Sequence, residues 1–203
     1  MFKSSSLFLL LTLLAAGLLG GCQSQRSDPG EPSYRSPAER SFSVSQKARQ
    51  HYQRGNQLLE AGNLKEAELA YRRALTADIG FGPAHNNLGK VYYLQQRYYE
   101  AAWEFEYAAK LMPHQPEPRN NLGMVFEAVG RLEQAIAEYD KALDIAPEYP
   151  EIVGNLARAK LRRGDKDQQV RLLLEDLIMK DTRQQWVDWA RQKLATMPKS
   201  STK

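Results

Sequence analysis

The chain has one cysteine and three histidines among its 203 residues, and both scarcities exclude chemistry. With Cys22 alone, no intrachain disulfide can form, so the fold has to be held by packing. His51 and His85 stand far apart in the chain, and His114 follows Pro113; none of them has the spacing of a metal-binding motif. Neither a nucleophile elbow nor a glycine loop able to cradle phosphate is present. No catalytic residue, metal site or cofactor is therefore expected. Charge of one sign is also not concentrated anywhere. Lys and Arg number 28 against 24 Asp and Glu, a net charge of +4, and the two signs alternate, which argues against a nucleic-acid partner. The apolar run Leu7–Leu19 is 13 residues, short of the roughly 20 that a membrane-spanning helix needs.

That run does have the length of a signal-peptide core, and Lys3 precedes it. It ends in Leu19-Gly20-Gly21-Cys22, which matches the lipobox of bacterial lipoproteins. An ordinary signal peptide followed by an incidental cysteine is the alternative. The resemblance implies removal of residues 1–21 and lipidation of Cys22. Because Gln23 stands where an Asp would favour inner-membrane retention, it also implies an outer-membrane anchor facing the periplasm. Each buried CH2 of an acyl chain contributes about 0.8 kcal/mol, so a multiply acylated terminus holds where one chain would not. Residues 22–44 are rich in Ser, Pro and charge and lack apolar periodicity. They are expected to form a disordered tether spanning roughly 25 Å.

Beyond the tether the chain repeats. Gly55, Gly89 and Gly123 recur at a fixed interval of about 34 residues, and Ala67, Ala101 and Ala135 keep the same interval. Units run from 48–81, 82–115 and 116–149 to a decayed 150–183. The second shows His85, Leu88, Gly89, Tyr92, Ala101, Phe105, Ala108 and Pro113; the third holds Arg119, Leu122, Gly123, Phe126, Ala135, Tyr139, Ala142 and Pro147 in the same places. His51 takes the place of His85 in the first unit. Two antiparallel helices per unit explain the pattern. Glycine and alanine allow close approach, large apolar residues fill the groove between the helices, and proline ends the second helix. Gly62, Gly130 and Gly164 fall at the turn between helices, where positive φ costs glycine little. The second unit has Gln96 there. In the fourth unit, Gln169 takes the alanine place and Leu173 the aromatic place. Arg183–Met197 reads as an amphipathic capping helix with Trp186, Trp189, Ala190 and Leu194 on one face, a partner-binding helix being the alternative, so 184–203 is assigned to a cap and a basic tail. Glu100, Glu104 and Glu133 read as solvated surface residues.

These slots resemble the tetratricopeptide repeat over residues 45–183, an all-α solenoid of about four helix-turn-helix units. The resemblance implies a concave groove, lined by the first helix of each unit, that binds a peptide or helix of a protein partner. Residues three or four apart share a helix face. Asn86, Asn87 and Lys90 then project beside Asn120, Asn121 and Met124, and beside Asn155 and Arg158, with Tyr93 one residue round from the core aromatic Tyr92. A carboxamide both donates and accepts, so a row of them can hold a peptide backbone. The competing reading is that Asn is simply a consensus residue of the repeat. A lipid anchor, a tether and a short helical array also resemble the pilotin lipoproteins of type IV pilus biogenesis, which implies an adaptor in envelope assembly acting on a secretin. An adaptor for cell-wall hydrolases is the alternative, and a lipidated hydrolase the remote one.

Overall fold

The computed structural model describes residues 37–198, with side chains from residue 45 onward. Cys22, the signal segment, the tether up to residue 36 and the end of the basic tail from residue 199 lie outside the described residues.

The described residues form nine helices and no strand: α1 (Pro37–Glu60), α2 (Leu64–Ala77), α3 (Gly82–Leu94), α4 (Tyr98–Leu111), α5 (Glu117–Ala128), α6 (Leu132–Ile145), α7 (Pro150–Arg163), α8 (Gln168–Lys180) and α9 (Gln184–Ala195). Each packs on the next. In addition α1 touches α3, α3 touches α5, and α5 touches α7, whereas the second helices show no comparable pairing. The first helices therefore line the inner side of the stack. No described helix is long and apolar enough to cross a membrane.

α1 begins at Pro37, inside the stretch read as tether. Proline is at home in the first turn, where its missing N–H has no partner to lose, and Ala38, Glu39 and Arg40 after it are good helix formers.

The spacing of small residues has a direct geometric cause. A Cβ built on Gly55, Gly89 or Gly123 would lie 2.5, 2.7 or 2.5 Å from the ring of Tyr71, Phe105 or Tyr139. The close approach is thus between each first-helix glycine and the aromatic of its own second helix, while Ala67, Ala101 and Ala135 are fully buried nearby. The turns repeat as well. Gly62, Gly130 and Gly164 have φ of 75°, 78° and 105°, and Gln96 takes the same left-handed conformation at 61°.

Two further expectations need correction. In α8 the buried side chains are Val170, Leu174 and Leu177, with Val170 and Leu174 each one position later than the repeat interval places them; Gln169 is exposed. The turn after Gly164 is longer, α8 starting four residues after it where α6 starts two after Gly130, and Asp167 caps α8 by accepting a 3.0 Å hydrogen bond from the Val170 N–H. Glu104 is not a surface residue but 6% exposed, 2.6 Å from His85 Nδ1. The other ring nitrogen, His85 Nε2, lies 2.9 Å from the Ile79 carbonyl, to which it donates. One unit on, Arg119 and Glu138 form the same pair at 3.3 Å. The two slots, 19 residues apart in both units, hold opposite partners and join the two helices of a unit.

α9 starts one repeat length after α7, in the place of the first helix of a fifth unit. Val187 and Ala190 are buried, and Trp186 packs against Gly154. Its outer face carries an exposed Arg191–Asp188 ion pair, so the last described helix presents a polar surface.

Candidate peptide-binding groove

The asparagines of the first helices are hydrogen-bonded between units in two separate sets, one joining Asn56, Asn86, Asn87 and Asn121 and the other joining Asn120 and Asn155. Asn87 Nδ2 donates to Asn56 Oδ1 at 2.9 Å and to the Tyr52 hydroxyl at 3.2 Å. Asn121 Nδ2 donates to Asn86 Oδ1, and Asn155 Nδ2 to Asn120 Oδ1, both at 2.9 Å. Each bond reaches back to the preceding unit. Asn86 also donates to Asn87 Oδ1 at 3.2 Å, and Tyr71 donates to Asn56 Oδ1 at 2.8 Å. Burial, foremost, pushes the Tyr71 hydroxyl up to about 12. Asn86, Asn120 and Asn155 are 8%, 4% and 4% exposed. Their carboxamides spend at least one bond each on holding units in register, which is a duty the sequence interval alone did not reveal.

Beside this row lies a cavity of about 430 Å³, lined by Leu59, Lys90, Tyr93, Leu94, Phe105, Asn121, Met124 and Glu151. Four of the residues singled out from the sequence meet there: Lys90, Tyr93, Asn121 and Met124. Tyr93 stands edge-on to Tyr98 at 5.8 Å, and burial raises its hydroxyl above the ordinary range. The walls are apolar, and the polar groups within reach are the Lys90 ammonium, the Asn121 carboxamide and the Glu151 carboxylate.

Arg158 lies elsewhere. Its guanidinium donates from Nε and Nη2 to the two oxygens of Glu127 at 2.8 and 2.9 Å and sits 5.2 Å from the Trp186 ring centre. Arg162 adds a 3.0 Å bond to the same carboxylate, and the Tyr139 hydroxyl donates to it at 2.9 Å. Burial is the strongest influence on Glu127 and would raise its pKa. The two guanidiniums and the hydroxyl outweigh it and hold the carboxyl below the usual range. With Gln185, Trp186 and Trp189, Arg158 lines a second cavity of about 370 Å³.

Leu59, Leu94, Glu151 and Gln185 were not singled out from the sequence. The repeat interval points at Leu59, one repeat length before Tyr93, and carries no signal for the other three. Phe105 carries no such signal, because it was already assigned to the core that it also fills. Among the described residues no group of three or more His, Cys, Asp or Glu is placed to hold a metal ion.

Two family models match the chain, both described as tetratricopeptide repeat, over residues 52–116 and 126–184. The chain is built of tetratricopeptide repeats. Solved structures agree on the fold. The first tetratricopeptide domain of Spaghetti (RPAP3), bound to an HSP90 peptide, is 22% identical with a TM-score of 0.58, covering 60% of this chain and 96% of that one. The tetratricopeptide domain of Arabidopsis OM64 is 14% identical with a TM-score of 0.57, covering 59% and 98%. A Thermobaculum terrenum O-GlcNAc transferase is 23% identical with a TM-score of 0.63 over 67% of this chain, but only 26% of the transferase is covered. No curated protein matches the chain.

Proposed function

We propose that this chain is a protein-interaction adaptor, without catalytic activity of its own, held on the periplasmic face of a bacterial outer membrane by lipid on Cys22. The observation that carries the binding reading is the open cavity on the first-helix face. It has apolar walls of Leu59, Tyr93, Leu94 and Met124, with Lys90 and Asn121 placed among them. Mostly apolar concave sites with a few placed polar groups are where ligands bind. A solved tetratricopeptide neighbour with a bound peptide makes an extended peptide the natural occupant. The Leu19-Gly20-Gly21-Cys22 motif and the Gln23 after it support the anchor and its membrane. Within that setting, the reading extends to envelope assembly, with pilus secretin biogenesis as the pathway.

Capture of partners from detergent-solubilised envelopes by the full chain tests the function. A secretin subunit is the expected partner. A cell-wall hydrolase would replace the pathway while keeping the adaptor, and recovery of no envelope protein would overturn both. For the anchor, Cys22→Ser is expected to move the protein from the membrane to the soluble fraction. Unchanged fractionation would show the lipid reading to be wrong.

A further inference from the structure

The geometry points to the chemistry of the peptide that the Lys90 cavity selects: an extended segment with one Asp or Glu two positions from a large apolar residue. This inference rests on the adaptor reading and makes it more specific.

Lys90 is the starting point. Several basic side chains of the repeats have acidic partners, Arg97 with Glu68, Arg119 with Glu138, and Arg158 and Arg162 with Glu127, while Lys65, Arg73, Lys110 and Arg131 have none and are exposed; Lys90 is half-buried. Lys90 makes no ion pair or hydrogen bond with any described residue and lies among Leu59, Tyr93, Leu94 and Met124. An ammonium beside apolar walls attracts a carboxylate more strongly than one in open water. The cavity of about 430 Å³ has room for a large side chain against Tyr93 and Met124.

Spacing links the two requirements. Lys90 and Tyr93 are three apart on α3, so their side chains stand roughly 5–6 Å from each other at the helix surface. In an extended peptide, side chains two residues apart point the same way and are separated by roughly 7 Å. An acid and an apolar anchor at i and i+2 therefore meet Lys90 and Tyr93 together. Asn121 lies in the same cavity, with one amide hydrogen and its carbonyl beyond the bond to Asn86, and these fit the peptide's main chain. Glu151 on the same wall repels a second carboxylate, so the preferred ligand has an isolated acid and not an acidic run.

Selection from a random peptide library against the full chain in detergent micelles tests this. Enriched sequences are expected to share Asp or Glu two positions from Phe, Tyr, Trp, Leu or Met. One selected peptide, labelled for fluorescence anisotropy, should bind Lys90→Gln about tenfold more weakly, as loss of one charge-assisted hydrogen bond predicts. Lys90→Arg should retain binding, and Lys90→Glu should enrich basic sequences in place of acidic ones. Amidating the peptide's C-terminus should change nothing; loss of binding would mean that a terminal carboxylate is read, and would overturn the inference. Enrichment without the acid, or the same sequences from Lys90→Glu, would also overturn it and leave the adaptor standing. No enrichment at all would count against the adaptor itself.

Discussion

Glu127 is 4% exposed, yet it is charged, and the reason lies in its four donors: the Tyr139 hydroxyl, two nitrogens of Arg158 and one of Arg162. Because its pKa is lowered in the folded chain, it stabilises the fold above the ordinary glutamate value of about 4.3. That contribution is lost as pH falls through the lower folded value. Glu127→Gln should cost about 2 kcal/mol at neutral pH, less than for a wholly buried pair because both arginines are partly exposed. Urea unfolding between neutral and acid pH checks both points, since the variant should show a shallower acid loss than wild type. The asparagine series makes a second claim at this scale. Asn120→Ala removes the acceptor of Asn155, itself 4% exposed, and leaves its amide unpaired. A loss of roughly 1–3 kcal/mol follows, where a freely solvated asparagine would cost almost nothing. The sequence made these residues conspicuous through their interval. It could not show which were bonded to one another, because each partner sits on a neighbouring unit and the distance between helices decides the pairing. Lys90, by contrast, is distinguished by being half-buried among apolar walls without an acidic partner, and only the geometry around it made that visible.

At the scale of the helical element, repetition was legible wherever packing demands one residue type. Gly89 must be small because the Phe105 ring lies over it, and the same holds for Gly123 beneath Tyr139. What escaped the interval was the longer turn between Gly164 and α8. Turn length is set by capping, here by Asp167, and the longer turn shifts the buried alanine and aromatic places of the helix by one, to Val170 and Leu174. The turn of the second unit offers the cleanest test. Gln96 occupies a left-handed conformation that its counterparts Gly62, Gly130 and Gly164 adopt as glycine. Gln96→Gly should relieve the steric cost of a Cβ there, about 1 kcal/mol, part of it returned through the freer unfolded chain. A rise of a few tenths to about 1 kcal/mol in urea-derived stability is expected, and a fall would mean that the Gln96 side chain has a role beyond the turn.

At the scale of the molecule, the units form a line in which each is stabilised by its neighbours, and an end differs from the middle. α9, the last helix among the described residues, occupies a first-helix place, and it presents Asp188 and Arg191 to solvent while Val187, Ala190 and Trp186 face the stack. Removing residues 184–203 would therefore uncover Leu174, Leu177, Val153 and Gly154. Losing the burial of one tryptophan and several aliphatic side chains costs about 3 kcal/mol or more. In a compact two-state core such a loss would lower protection everywhere. In a linear stack it should fall on the end next to the cut. Hydrogen exchange of the truncated chain is expected to show faster amides in α7 and α8 and unchanged ones in α3 and α4, which supply Lys90, Tyr93, Leu94 and Phe105 to the cavity. Uniform loss of protection would mean that the units act as a single cooperative core, and that the cavity and the C-terminal cap are coupled after all.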